Sequence, residues 1–264
     1  MNIAVGFRVK ALCLIVLLFA GKGLAYSQAS SVAFEKLTIK DGLSQSTVNH
    51  IMQDSHGFMW FATYGGLNKY DGNSFTIYQY DEQDTTSIGN NNNEVLFEDR
   101  DGYIWVVHNG NDGLDRFDPE TGKFLRLRHD PNDPTSISSN TVHHISQDKE
   151  GNLWVSADNT LHLVVFEGEE RGADVSFQRF PQPEEHQFTR VFEDSKGNLL
   201  LLGSSLLYFD REDQTTTRAF ALPANRVISY AEDKNGDLII GTFAQGVFKL
   251  EWDASSESYR LDEN

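Results

Sequence analysis

Residues 53–71 read "QDSHGFMWFATYGGLNKYD", and residues 98–118 read "EDRDGYIWVVHNGNDGLDRFD". Each places a Gly three residues after an Asp, a Trp three after the Gly, then Gly-Leu and an aromatic-Asp pair. The Asp-x-x-Gly step recurs at Asp54/Gly57, Asp99/Gly102, Asp148/Gly151, Asp194/Gly197 and Asp233/Gly236, with Asp-to-Asp spacings of 45, 49, 46 and 39 residues. A period of about 45 is that of a four-stranded propeller blade. The position three after the Gly is Trp60, Trp105, Trp154, Leu200 and Ile239, large and apolar throughout.

Around each step lie four short runs rich in β-branched and aromatic residues, bounded by Gly, Asp and Asn, as in "EVLFE", "YIWVV", "GLDRFD" and "FLRLR". No sustained helical periodicity appears after the N-terminal stretch. The Asp-x-x-Gly is a predicted hairpin turn between the first two strands. Its Asp bonds the backbone two residues on, and its Gly takes a positive φ. A calcium loop would need oxygen ligands at set positions that "DSHG" and "DSKG" lack. A four-stranded unit of this size buries both faces only by stacking on like units, which gives a propeller. Trp60, Trp105 and Trp154 are then plugs between neighbouring blades.

The expected fold is therefore all-β: a β-propeller of four-stranded blades at about 41–80, 88–128, 138–180, 187–222 and 225–262. An additional strand, "AFEKLTI" (33–39), has no place in these five and is assigned to another blade. About five blades are present, an incomplete ring of a propeller of seven or more.

The N-terminus has the form of an export signal, residues 1–25. Arg8 and Lys10 precede the apolar run "ALCLIVLLFA" (11–20), and Gly23 and Ala25 are small residues at a cleavage site. A bilayer span needs about 20 apolar residues, so this run is too short. Residues 26–264 form the expected propeller domain. The single cysteine, Cys13, lies in the signal, so the mature chain has no disulfide, cysteine nucleophile or thiolate site. The net charge is −17, and removal of Arg8, Lys10 and Lys22 leaves about −20. That surface repels phosphate backbones and anionic lipid, so no nucleic-acid partner is expected.

The stretch "DGLSQSTVNHIMQDSHGFMWFATYGGLNKYDG" resembles the two-component regulator propeller repeat, as does "DPNDPTSISSNTVHHISQDKEGNLWVS". The resemblance covers about residues 34–251 and fades over the last two repeats, where the Trp and the Gly-Leu step are lost. It implies the exported sensor region of a bacterial receptor, on the periplasmic side of the inner membrane. Such a region binds carbohydrate or another small ligand, and a β-sandwich, a membrane helix and a histidine kinase or diguanylate cyclase follow it. The expectation is that this chain is a fragment or a shortened form of such a receptor. It would carry no catalysis of its own, and its partners would be the ligand, further blades and output domains, and a second copy in a homodimer. A secreted propeller enzyme (lyase, glycosidase or quinoprotein) and an adhesion scaffold are the alternatives.

Motif inspection assigns no catalytic residue, no cofactor and no metal. His143 and His144 are adjacent on a predicted strand and point to opposite faces unless a bulge intervenes. The loops entering strand one and those joining strands two and three share one side of the disc. That side gathers the candidate ligand residues Tyr64, His108, Asn109, Asn111 and Asn159, where a ring stacks on sugar C–H faces and amides pair with hydroxyls.

Overall fold

The computed structural model describes residues 34–167, 174–184, 187–223 and 226–261. Strands account for nearly all of its regular structure, as the period-two runs require. The first sheet holds β1 (Val48–Gln53), β2 (Met59–Thr63), β3 (Gly66–Tyr70) and β4 (Phe75–Tyr78). The second holds β5 (Asn93–Glu98), β6 (Ile104–His108), β7 (Leu114–Asp118) and β8 (Lys123–Leu127). The third holds β9 (Val142–Gln147), β10 (Leu153–Ala157), β11 (Thr160–Glu167) and β12 (Asp174–Pro181). The fourth holds β13 (Phe188–Glu193), β14 (Leu199–Gly203), β15 (Ser205–Asp210) and β16 (Thr215–Ala221). The fifth holds β17 (Val227–Glu232), β18 (Leu238–Thr242), β19 (Val247–Asp253) and β20 (Ser258–Leu261). Each sheet is an antiparallel meander in sequence order, and all five lie in one compact unit, Leu37–Asn264. The first strands of successive sheets lie side by side, β1 by β5, β5 by β9 and β9 by β13. No closed ring is found among the described residues.

The expected signal at 1–25 lies outside the described residues. Residues 34–38 of the assigned extra strand are not in a strand, and a short 3-10 turn, Ile39–Asp41, follows them. An outer strand forms only by hydrogen bonding to a free sheet edge. Here Thr38 and Asp41 close a capping box instead, with the Thr38 N–H donating to Asp41 Oδ2 at 2.8 Å.

The Asp-x-x-Gly turns close as the sequence requires. In the first, the Gly57 N–H donates to the Asp54 carbonyl at 2.9 Å, with Gly57 at φ 92°. The N–H groups of Gly102, Gly151 and Gly236 reach the carbonyls of Asp99, Asp148 and Asp233 at 3.0 Å, and that of Gly197 reaches Asp194 at 3.1 Å. Their φ angles are 86°, 95°, 83° and 92° for Gly102, Gly151, Gly236 and Gly197, the left-handed region in all four. Asp54 Oδ1 accepts from the N–H groups of His56 (3.0 Å) and Phe58 (2.8 Å). The same pattern closes the turns at Asp99, Asp148, Asp194 and Asp233. The second carboxylate oxygen has a further task. Asp54 Oδ2 accepts from Trp60 Nε1 at 2.7 Å, and the Asp99–Trp105 and Asp148–Trp154 pairs repeat this at 2.8 Å. The turn and the plug are thus one latch.

Each plug lies between its own sheet and the next. Trp60 packs with Phe117 of the second sheet, their rings 5.5 Å apart. Trp105 shares a cluster with Val155, Val164 and Phe177 of the third. Trp154 meets Phe209 of the fourth at 5.6 Å. Leu200 takes the same place between the fourth and fifth sheets. A leucine has no N–H to give Asp194. Tyr259 of the fifth sheet supplies a donor in its stead, its hydroxyl 2.9 Å from Asp194 Oδ2, which also accepts from Asn198 Nδ2 at 2.9 Å. Ile239, the fifth plug, is only partly buried and belongs to none of these clusters.

A second inter-sheet tie repeats on the turn side. The residue before each latch Asp is Gln53, Glu98, Gln147, Glu193 or Glu232. Four of these side chains accept a backbone N–H from the turn of the preceding sheet: Ser55 to Glu98, Arg100 to Gln147, Lys149 to Glu193 and Ser195 to Glu232. The tie accounts for the Glu or Gln before the second to fifth latch Asp, while Gln53 donates to the Gly57 carbonyl of its own turn.

Truncating a buried plug should cost about 3–5 kcal/mol. Trp105→Ala is expected to lower the urea-unfolding free energy by that amount, and a loss below about 1 kcal/mol would show that Trp105 does not seal the interface. Tyr259→Phe keeps the ring and removes the phenolic donor to Asp194. It should cost about 1–3 kcal/mol in the same measurement.

Candidate functional site

The loops joining the second and third strands and those entering the first strands do share one side of the molecule. Between the third, fourth and fifth sheets they enclose a cavity of about 340 Å³. It is lined by His143, Asp158 and Asn159 of the third sheet, Gln187, Phe188, Thr189, Gly203 and Ser204 of the fourth, and Arg226 and Val227 of the fifth. The turn glycines of these three sheets, Gly151, Gly197 and Gly236, do not line it. They sit between the first and second strands, at the opposite end of each sheet, so their part is structural.

The cavity owes its lining to a backbone irregularity repeated in every sheet. The first strand slips register near its start, between Val48 and His50, Asn93 and Val95, Val142 and His144, Phe188 and Arg190, and Val227 and Ser229. The extra residue is Asn49, Glu94, His143, Thr189 or Ile228. A bulge bends its strand and re-aims a side chain, so His143 and Thr189 line the cavity. The bulge that would let His143 and His144 share a side is therefore present. Among the described residues, no group of three or more His, Cys, Asp or Glu side chains is arranged to hold a metal ion.

The bulge carbonyls need donors. Asn49 Nδ2 donates to the Asn93 carbonyl at 2.8 Å, and Ser156 Oγ to that of Thr189 at 3.0 Å. Arg190 bridges three sheets: its guanidinium donates to the carbonyls of Ile228 (3.0 Å), Thr189 (3.2 Å) and His143 (3.4 Å). Desolvation, followed by the charge of Arg190, pushes the pKa of His50 and His143 down and that of His144 to about 3. His50 is in the first sheet and Arg190 in the fourth, so the first strands converge on a common axis. Two polar atoms at the cavity are buried without a hydrogen-bond partner, Asn159 Oδ1 and Thr189 Oγ1.

Of the five candidate ligand residues, only Asn159 lines this cavity. Its Nδ2 is tied to the carbonyls of Gln182 (3.0 Å) and Pro183 (2.8 Å), which fixes the amide. Tyr64 is exposed in the turn after β2, and Asn109 and Asn111 lie in the turn after β6. His108 belongs to the interior, as a correction to its place on the open face: it is 0% exposed at the end of β6. Its Nδ1 lies 3.0 Å from Asn93 Oδ1 and its Nε2 2.9 Å from the buried Asp115, which also pairs with Arg128 at 2.8 Å. Burial would push the Asp115 carboxyl up, but His108, Arg128 and the Gly89 N–H together hold it below the usual range. The long entry loops are also self-satisfied. Arg126 caps the carbonyls of Asp84 and Ser87, and Arg179 those of Asp133 and Ser136. The residues that sequence inspection missed, Thr189, Gln187 and Arg226, carry no motif. Only the bulge and the meeting of three sheets bring them together.

Comparison with known proteins agrees with this architecture. Residues 42–65 and 136–159 match the family model described as the two component regulator propeller. These two stretches carry the two-component regulator propeller repeat. Over 62 residues it is 48% identical to Histidine kinase P4 of Formosa agariphila, a stretch that covers 24% of this chain and 4% of the kinase. Its fold resembles the extracellular domain of a protein assigned as a hybrid two component system in B. thetaiotaomicron, at TM-score 0.62 and 18% identity, covering 81% of this chain and 30% of that one. It also resembles virginiamycin B lyase from Staphylococcus aureus, at TM-score 0.57 and 16% identity, covering 80% and 68%. The neighbours thus include an extracellular domain of a two component system and an enzyme. The chain spans 4% of the kinase and 30% of that extracellular domain. Among the described residues no helix is long and apolar enough to cross a membrane.

Two outcomes are expected here. Asp115→Ala leaves His108 and Arg128 facing an empty buried site and should cost about 3–5 kcal/mol in chemical unfolding. The second concerns acid. His144, faced by Arg190, His50 and Tyr230, stays neutral in the folded protein well below the ordinary 6.5. The unfolded chain therefore binds its proton first. Stability falls as pH drops below about 6.5 and levels off near 3, at up to about 1.4 kcal/mol per pH unit for this proton. His144→Gln should flatten that slope by about one proton, measured by urea unfolding between pH 6.5 and 4; an unchanged slope would show that His144 titrates alike in both states.

Proposed function

We propose that this chain is the ligand-sensing propeller of an exported two-component receptor. It stands on the periplasmic side of the inner membrane and passes its signal to a histidine kinase or similar output. The carrying observation is the cavity between the third, fourth and fifth sheets. It opens on the loop side, Asn159 and Thr189 line it, and their buried Oδ1 and Oγ1 atoms have no hydrogen-bond partner among the described residues. Buried polar atoms without partners cost free energy, and a ligand hydroxyl would satisfy them. Arg190 ties the first strands of all three sheets around this opening, so occupancy would bias their relative packing. Sensing by population shift needs no reactive group in this domain. The repeat match and the sensor-domain neighbour support the same reading.

A thermal-shift screen against neutral and acidic oligosaccharides tests it. A binder present at about a hundred times its Kd should stabilise the fold by about 2.7 kcal/mol. Thr189→Val, which keeps the side-chain shape and removes the free hydroxyl, should weaken that binder about fivefold to tenfold. A panel in which no sugar raises the Tm, or a binder indifferent to Thr189→Val, would overturn the assignment of this cavity.

A further inference from the structure

We infer that the cavity is built for a ligand that carries an anionic oxyacid group, a carboxylate or a sulfate ester, beside free hydroxyls. The inference rests on the function just proposed and names the chemistry of the same site. Arg226 lines the cavity, exposed to solvent, with its guanidinium 5.3 Å from the ring of Phe243. Arg190 lies beside it and spends its hydrogen bonds on three carbonyls. Among the described residues neither arginine makes an ion pair. Burial disfavours the charged form of Arg190, Glu94 and Tyr230 favour it, and Arg226 adds the smallest contribution against it. The pKa of His143 is pushed down by desolvation, then Arg190, with Asp158 opposing and Arg226 adding to the fall.

Two carboxylates face this region. Glu94 favours the charged form of Arg190, and Asp158 lines the cavity, yet neither approaches either guanidinium within ion-pair distance. Arg128 elsewhere in the same chain has Asp115 at 2.8 Å. On a protein of net charge −17, Arg226 is an exposed guanidinium in the lining of this cavity that makes no ion pair among the described residues, with Asp158 the other charged side chain of the lining. An anion seated against Arg226 gains charge-assisted hydrogen bonds. Around it, the Thr189 hydroxyl donates or accepts, and Asn159 Oδ1 accepts from a ligand hydroxyl. An anionic group next to hydroxyls is the pattern of an acidic sugar.

Calorimetric titration of the full chain separates the possibilities with four probes: trigalacturonate, its neutral methyl ester, glucose 6-sulfate and glucose. Either acidic probe should bind at least about tenfold tighter than its neutral counterpart, and Arg226→Gln should remove that advantage. Raising NaCl should weaken the acidic probe and leave neutral ones unchanged. Circular dichroism of Arg226→Gln, an exposed position, checks that the fold is intact. Equal binding of acidic and neutral probes, an acidic binder indifferent to Arg226→Gln, or no binding by either acidic probe overturns the inference. Neutral binding that still depends on Thr189 leaves the sensing function standing while the anionic specificity falls.

Discussion

A single carboxylate holds each of the first three repeats together. The latch Asp closes the hairpin between the first two strands with one oxygen and grips the indole of the second strand with the other. The indole is what the next sheet packs against. A local turn and a long-range interface are thus tied to one side chain in these three repeats. In a protein without disulfides in its folded domain, this coupling is how packing alone supplies order.

The last two sheets show what happens when the latch erodes. With Leu200 in place of tryptophan, Asp194 loses its indole donor, and Tyr259 fills the role from the neighbouring sheet. Lys196 then lies over the rings of Trp252 and Tyr259 and pairs with Glu232. The interface has moved its polar anchor from inside one sheet to across two. The turn of Asp233 and Gly236 closes, but Asp233 has no such anchor among the described residues, in keeping with a plug, Ile239, that is only partly buried.

The candidate site arises from a different constraint. The bulges at Asn49, Glu94, His143, Thr189 and Ile228 interrupt each first strand on the loop side and leave carbonyls that need donors. Different residue types meet that need in different sheets, so this end of the molecule is free to vary while the turn end repeats. Arg190 answers it for three sheets at once.

The repeat register, the four strands of each repeat, the turns from Gly57 to Gly236 and the tryptophan plugs were legible in the sequence, because each depends on contacts within one repeat or on a period that recurs; the extra strand expected at 33–39 was not found among the described residues. The Glu or Gln before the second to fifth latch Asp was equally visible as letters, but its partner belongs to the preceding sheet. Its meaning appears only once sheets are adjacent. His108 shows the same limit in reverse: it ends a strand next to a polar loop, yet it lies buried between Asn93 and Asp115 of the neighbouring strands. The residues of the cavity come from three repeats and share no motif. Side chains far apart in the chain meet only where the sheets converge and the bulges turn them, so tertiary structure alone decided the site, while local periodicity had already decided the fold.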